Sequence, residues 1–495
     1  MPSAAAAEAP TWRPAAIRLA AICIILLPAA LAPATASAKV YGVHEPDIAN
    51  LSSAGVATLL SDLGAQAHRW NLDWQYVEPN APQNGVHKYE FSIFDQVYAA
   101  DVSRGIKPLI VVMSAPKWAW GAGVPQGDQP FGMPPGPEHL DDWAAFIAAA
   151  AKRYPQALGF EVWNEPDAWA FWGRGVVPID PAAYTRVLAR AQGAVESVDP
   201  CTPVIGGALA TYPTTSPGVH MSVSEFVGGM VNAGAANHMD AISLHDYALG
   251  PTPPGPAQWT IPPNWVRGAL ASNGVRIPIW ITESGVSTTG LDGVSEQGQA
   301  QSLGDLFSWF QAQPDIEALF THRLVEHGTN PLERELGYGL VHPGTFAAKP
   351  AFSAMRAAIA AIGQPTDPRG ALQASIPVRQ KVTRRGKLKV TVRCLECCSV
   401  RADGKLRLRV RGAGKRHYRL RSDESSLTGN GPAILELQLR RKQRRVLRRS
   451  ADRIRGRLRA VVTVVATDST GTTQRRRIKA KLNAGHGRRL GTPRG

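Results

Sequence analysis

The sequence predicts a (β/α)8 barrel followed by a small all-β sandwich. Eight short apolar runs recur over roughly 325 residues, each followed by a helical pattern, which is the rhythm of a strand–helix barrel. Beyond them, polar and apolar residues alternate strictly, the mark of half-buried strands. The charge divides at the same place. Residues 369–495 hold 36 Lys and Arg against 7 Asp and Glu, whereas the preceding residues hold 19 against 32. A chain of 495 residues exceeds one ordinary domain, and the charge step puts the boundary near Pro365–Pro368.

The first 38 residues read as a secretory signal peptide rather than as part of the fold. Arg13 and Arg18 precede an apolar stretch, Leu19 to Leu31, and Ala36-Ser37-Ala38 supplies a small-residue cleavage site. Pro28 interrupts the stretch, which is shorter than the ~20 apolar residues of a spanning helix. No later segment is long and apolar enough to cross a bilayer, so a protein that is secreted or associated with the cell envelope is expected.

The barrel is expected over 39–365. Its strands are assigned to Val40–Val43, Ala65–Trp70, Lys107–Met113, Leu158–Trp163, Pro203–Ala208, Met239–Leu244, Ile277–Thr282 and Ile316–His322. Helices are assigned to Asn50–Leu63, Phe91–Arg104, Leu140–Arg153, Pro181–Val195, Ser222–Ala233, Ser295–Gln313 and Pro350–Ile362, with Pro181 and Pro350 suited to a first turn. An open doubly wound sheet is the competing fold, but no glycine-rich phosphate loop follows an early strand. The stretches Ala115–Pro137, Asp167–Pro178 and Gly250–Trp265 read as long loops. They carry Trp118, Trp120, Trp169, Trp172, Trp259 and Trp265, flat faces for a sugar ring, with Trp118 taken as a substrate contact.

The sandwich is expected over 372–484, followed by a disordered tail at 485–495. Lys387–Arg393, Lys405–Val410 and Ile434–Leu439 alternate, and Ala460–Ala466 is rich in β-formers. Arg441–Arg459 is left open between a short helix and a basic loop. Of five cysteines, Cys23 leaves with the signal and Cys201 reads as an inert thiol. Export favours a disulfide from Cys394 to Cys397 or Cys398. No fourth ligand accompanies these cysteines at a zinc spacing, so no metal site is expected, and no cofactor.

Two glutamates carry the chemistry. Glu165 follows the run Gly159–Val162, and Glu283 ends Ile277–Thr282. Strand C-termini of such a barrel converge on one face, where catalytic groups sit. One protonated carboxyl and one ionised carboxylate across an anomeric carbon are what glycosidic cleavage needs.

Trp163-Asn164-Glu165-Pro166, the later Ile281-Thr282-Glu283-Ser284-Gly285, and Arg69 after an early strand resemble the retaining glycoside hydrolases built on (β/α)8 barrels, families 39 and 5 most. Supporting segments are Asp73-Trp74 through Glu78-Pro79, Lys107-Pro108-Leu109 through Trp118, and Ser243 to Tyr247. Gly339-Leu340-Val341 followed by Lys349-Pro350-Ala351 adds to them, and the resemblance spans about 40–362. It implies Glu165 as acid/base, Glu283 as nucleophile, Asn164 on the sugar 2-hydroxyl, Arg69 holding the nucleophile ionised, and His245 and Tyr247 flanking the site. His44, in His44-Glu45-Pro46-Asp47, is a further candidate for sugar contact. Many relatives end the eighth strand with Trp. Here the segment reads Phe320-Thr321-His322-Arg323, so His322 or Arg323 is expected to serve instead.

These readings predict a secreted retaining glycosidase acting on β-linked oligo- or polysaccharides, its carboxyls ~5–5.5 Å apart. The rival is a non-catalytic carbohydrate-binding or adhesion protein on the same scaffold. The basic segment points to an anionic cell surface or another polyanion. Nucleic acid is not expected, since Tyr418 is the sole aromatic residue after Phe352 and bases would have little to stack on.

Overall fold

The computed structural model describes residues 39–48, 51–125, 131–247, 253–328, 330–362, 373–375, 386–393, 398–410, 414–427, 433–449, 454–468 and 473–482. The signal peptide with Cys23, the boundary at Pro365–Pro368, Cys394, Cys397 and the tail at 485–495 lie outside the described residues. Among the described residues no helix is long and apolar enough to cross a membrane.

Eight parallel strands close into a barrel in chain order. They are β1 (Val40–His44), β2 (Ala67–Asp73), β3 (Lys107–Met113), β4 (Gly159–Val162), β5 (Val204–Leu209), β6 (Ala241–His245), β7 (Ile279–Ser284) and β8 (Ile316–His322). The expected (β/α)8 fold is therefore present, with every strand within a few residues of its expected place. Parallel strands covered by helices are buried on both faces, which is why β3 reads Lys-Pro-Leu-Ile-Val-Val-Met and buries all but its first residue.

Helix ends follow local chemistry. The Ser52 hydroxyl accepts from Gly55 N at 3.4 Å to cap Ser53–Leu63, and Gly64 ends that helix with φ 86°, a conformation that favours glycine. Asp180 accepts from Ala182 N at 2.8 Å to start Pro181–Val198. The Gly250–Trp265 stretch is not a plain loop, because it carries the helices Pro256–Trp259 and Ile261–Ser272. The prolines that read as loop formers, Pro256, Pro262 and Pro263, occupy first turns, where a missing N–H costs nothing.

The barrel interior is layered. Ala67, Leu109, Ile205, Ala241, Trp280, Ala318 and Phe320 form a dry plug at the lower end. Gly42 faces this plug, and a Cβ there would lie 2.3 Å from the Phe320 ring, so glycine makes room for the aromatic. Side chains along a strand alternate with a period of two. Two residues beyond Gly42, Ala67, Gly159 and Phe320 therefore stand His44, Arg69, Glu161 and His322, the layer that floors the open end. Strand register sets His44 level with both Arg69 and His322.

The C-terminal segment is an antiparallel sheet of β9 (Gln373–Ser375), β10 (Lys387–Arg393), β11 (Cys398–Val410), β12 (Gly414–Arg421), β13 (Asp423–Leu427), β14 (Ala433–Leu439), β15 (Ile454–Asp468) and β16 (Thr473–Leu482). Its strand order is 16-15-11-12-14-10-9, with β13 also on β11. The sheet curls, so Leu388, Val390 and Leu437 from one end share a core with Val400, Leu406, Val462 and Val464 from the other. Gly404 leaves space at that contact, where a Cβ would meet Leu437 at 2.9 Å. The two-layered all-β packing expected of a sandwich thus comes from one curled sheet. The open stretch resolves into a helix, Arg441–Arg449, and the early part of β15, which starts at Ile454 rather than Ala460. Cys398 is disulfide-bonded, and Cys201 is half-buried.

Candidate active site

The turn after β4 delivers the first carboxyl. Trp163 (φ 77°) and Glu165 (φ 43°) both take left-handed backbone conformations, which bulky residues adopt at a cost of about 1–3 kcal/mol each. Packing fixes them there. The Trp163 indole donates to Phe171 O at 2.7 Å and lies against Trp143 and Trp172. Glu165 N donates to Ala208 O at 2.9 Å. The two reversals on either side of Asn164 aim its amide and the Glu165 carboxyl into the barrel mouth.

The second carboxyl arrives through a break in strand register. Counting by twos from Trp280 would point Thr282 inward. The ladder with β6 slips between Leu244 and His245, and the ladder with β8 slips between Ile281 and Ser284, so Glu283 comes level with His245. Four side chains meet it. Arg69 Nη1 donates to Oε1 at 2.7 Å, Tyr247 Oη donates to Oε2 at 2.8 Å, His44 Nδ1 is 3.2 Å from Oε1, and His245 Nε2 is 3.4 Å from Oε1. The other edge of the His245 ring reaches Glu165, with Nδ1 2.8 Å from Oε1. One imidazole therefore bridges the two carboxyls.

Arg69 ties the layer together. It is fully buried, and its remaining donors go from Nε to Glu161 at 2.6 Å and from Nη2 to Asn164 Oδ1 at 2.8 Å. Burial opposes ionisation of Glu283, but the neighbouring His245, His44, Arg69 and His322 outweigh it and hold the carboxyl well below the usual range. Burial also pushes the His44 imidazole well down and His322 down to about 4, so both are neutral at pH 7. The permanent positive charge beside Glu283 is then the Arg69 guanidinium. Burial and the Glu283 charge raise the Tyr247 phenol, which stays protonated as a donor. Asp246 lies between His245 and Tyr247, both its oxygens are buried without a partner among the described residues, and burial raises its carboxyl well above the usual range.

The fold brings together Glu165, Glu283, Arg69, Asn164, His245, Tyr247 and His44. Trp118 donates its indole N–H to Glu78 O at 2.9 Å and meets Trp74 edge-on at 5.3 Å, contacts that fasten its loop to the barrel wall. Among the loop tryptophans, Trp120, Trp172 and Trp259 are buried, whereas Trp169 is 40% exposed, four residues past Glu165, with Arg174 over its ring. Glu45 and Arg323 pair with each other, and Glu45 also accepts from Val325 N at 2.9 Å, so both brace the β1 and β8 ends.

Glu161 is the residue that motif reading missed. It sits inside a strand, and only period-two counting from the interior glycine at 159 would have found it. No ligand cluster was expected either, yet donor atoms of His44, Glu283 and His322 lie within 4.8 Å of one another. Their positions, far apart in sequence, hide that grouping.

No protein-family model and no curated protein matches the chain. Among solved structures, a family 39 glycoside hydrolase from the gut symbiont Bacteroides cellulosilyticus WH2 superimposes with a TM-score of 0.51 at 18% identity, over 81% of each chain. A glucosidase from Croceicoccus marinus superimposes with a TM-score of 0.50 at 12% identity, over 81% of this chain and 96% of that one. At such identities the likeness is one of fold, and the chain shares the barrel architecture that its resemblance to families 39 and 5 implied.

Proposed function

We propose that the chain is a retaining glycosidase acting on β-linked oligo- or polysaccharides, with Glu283 as nucleophile and Glu165 as acid/base. The observation that carries this reading is the His245 imidazole reaching both carboxyls, Glu165 at 2.8 Å and Glu283 at 3.4 Å, at the strand C-termini. Glu283, ionised beside Arg69 and steadied by Tyr247, attacks the anomeric carbon. Glu165 gives its proton to the departing oxygen as that bond breaks. Water then enters, Glu165 takes its proton back, and the hydroxyl displaces Glu283 from the anomeric carbon. Asn164, fixed by Arg69, presents its free amide N–H to the 2-hydroxyl. His44 and His322 stand on the Oε1 side of Glu283, where relatives place a flat aromatic platform, so this chain contacts the bound sugar through polar rings.

The test is activity of the full chain on a panel of aryl β-glycosides and natural glycans. Glu165→Gln and Glu283→Gln should each lower kcat by roughly 10²–10⁴-fold with the fold intact. Unchanged turnover in either variant overturns the assignment, and binding without turnover in the parent chain favours the carbohydrate-binding alternative.

Export through a signal at 1–38 belongs to this reading, supported by the order of charge, apolar stretch and cleavage site. The basic sheet supports contact with an anionic surface. On its outward face Arg401, Lys405, Arg407, Arg419, Arg459, Arg475, Arg477 and Lys479 are exposed. Strand register sets Lys479, Val461, Lys405 and Arg419 in one row and Arg459, Arg407 and His417 in the next. Strands ~4.8 Å apart make these rows a dense cationic field. Retention of the chain on an acidic polysaccharide matrix should fall steeply as salt rises.

A further inference from the structure

The His44–His322 pair offers more than contact with a sugar. Its two Nδ1 atoms face each other at 3.1 Å, and His44 Nδ1 is 3.2 Å from Glu283 Oε1. Two donors on one zinc, each ~2.0–2.1 Å from the metal at a near-tetrahedral angle, stand ~3.3 Å apart. The two spacings at His44 Nδ1 are within a few tenths of that value, and all three donors lie within 4.8 Å of one another. The rings are positioned from outside the cluster. His322 meets Tyr338 edge-on at 5.5 Å and Tyr247 at 6.2 Å, and the strand ladder fixes both Cα positions. All three donors sit at the floor of the barrel mouth, 4–9% exposed, so an ion can enter from the sugar side.

We propose that His44, His322 and Glu283 form a site for a divalent transition cation of the zinc class, and that filling it reversibly shuts off the barrel's chemistry. Two imidazoles with one carboxylate suit zinc, copper or nickel rather than calcium or magnesium. Three protein ligands leave the remaining positions open toward the mouth, for water or a sugar hydroxyl. The proton now shared between the two Nδ1 atoms moves to the outer nitrogen of its ring, so binding needs no net proton loss. Arg69, 2.7 Å from the same Glu283 oxygen, repels the incoming charge. Among the described residues His44 Nε2 is buried without an acceptor, so they do not supply it the second-sphere support of a closed structural site. Both facts weaken the site relative to a closed structural one. A cation bound to Glu283 neutralises the carboxylate that would attack the anomeric carbon, so the inhibitory half of this proposal rests on the glycosidase reading and the binding half does not.

The experiment is titration of the full chain with Zn2+ by calorimetry and with Co2+ by visible absorption, alongside His44→Gln, His322→Gln and, as a remote control, His139→Gln. Circular dichroism checks each variant for folding. The expected result is one tight equivalent in the parent and in His139→Gln, weakened at least about tenfold in each of the other two. Zn2+ should also lower the kcat of hydrolysis, with recovery on adding a chelator. Equal affinity in the parent and both site variants overturns the proposal, as does the lack of any Zn2+ binding tighter than about 1 mM. Should the His44 variant misfold, the His322 comparison alone decides. A chain that binds zinc here and cleaves no glycoside refutes the proposed activity only, whereas a chain that cleaves glycosides and ignores zinc refutes the metal site only.

Discussion

Replacing Arg69 by Met should remove the support of the whole site floor, and its size follows from the contacts. The guanidinium is fully buried and donates to Glu161, Glu283 and Asn164 at 2.6, 2.7 and 2.8 Å. Met fills much of the volume but leaves two buried carboxylates facing each other without a counter-ion. Removing one partner of a buried ion pair costs about 3–5 kcal/mol, a large part of the ~5–15 kcal/mol that holds a folded protein together. The cost should depend on pH. In the parent chain Glu283 has a depressed folded pKa, so its pairing stabilises above the ordinary carboxyl value of ~4.3 and is lost as pH falls through the lower folded value. In Arg69→Met the carboxyl rises above that ordinary value, so the variant is penalised increasingly as pH rises. Urea unfolding of both chains at pH 5 and pH 8 measures this. The deficit should be several kcal/mol at pH 8 and smaller at pH 5, and Glu161→Gln in the Arg69→Met background should recover part of it. A deficit under about 1 kcal/mol, or one equal at both pH values, refutes the arrangement of charges described here.

Other outcomes are equally specific. Burial raises Asp73, at the end of β2, to about 6, opposed by a hydrogen bond from Ser114. A raised acid stabilises below its unfolded pKa and loses that contribution as pH rises through its folded one, so Asp73→Asn should be near neutral at pH 4 and stabilising by up to about 3 kcal/mol at pH 7, read by urea unfolding at both. Tyr247→Phe removes the donor to Glu283 Oε2 and should cut kcat by about ten- to a hundredfold in steady-state assays, since a hydrogen bond to a charged group is worth ~1.5–3 kcal/mol. Trp169→Ala should raise KM for long substrates several-fold and leave small aryl glycosides unaffected, the pattern expected if its exposed face binds sugar beyond the cleaved bond.

The barrel was legible because parallel strands covered on both faces leave continuous apolar runs, as in β3, and because Asn164-Glu165 and Thr282-Glu283 end such runs. The helices at Pro256–Trp259 and Ile261–Ser272 were not, since proline at a first turn looks the same in a sequence as proline in a loop. The place of Trp118 was not legible for a related reason: an indole looks alike whether it faces a sugar or staples a loop, and its bond to Glu78 O is a matter of tertiary position. Glu161 and the His44–Glu283–His322 grouping depend on which residues share a level around a closed barrel. That level is set by strand register, including the slips beside Glu283, and local spacing carries no trace of it. In the basic segment alternation revealed the strands, but whether two layers are two sheets or one curled sheet depends on the β12–β14 pairing, which alternation does not encode.

The assignment of Glu283 is tested most directly by trapping it. A 2-deoxy-2-fluoro β-glycoside with a reactive leaving group, built on the sugar that the substrate panel identifies, forms a glycosyl-enzyme that hydrolyses slowly. Peptide mass spectrometry should then find one sugar attached to the segment containing Glu283, and no label in Glu283→Gln. Label on another carboxylate, or turnover that proceeds with inversion and leaves no covalent adduct, contradicts the mechanism.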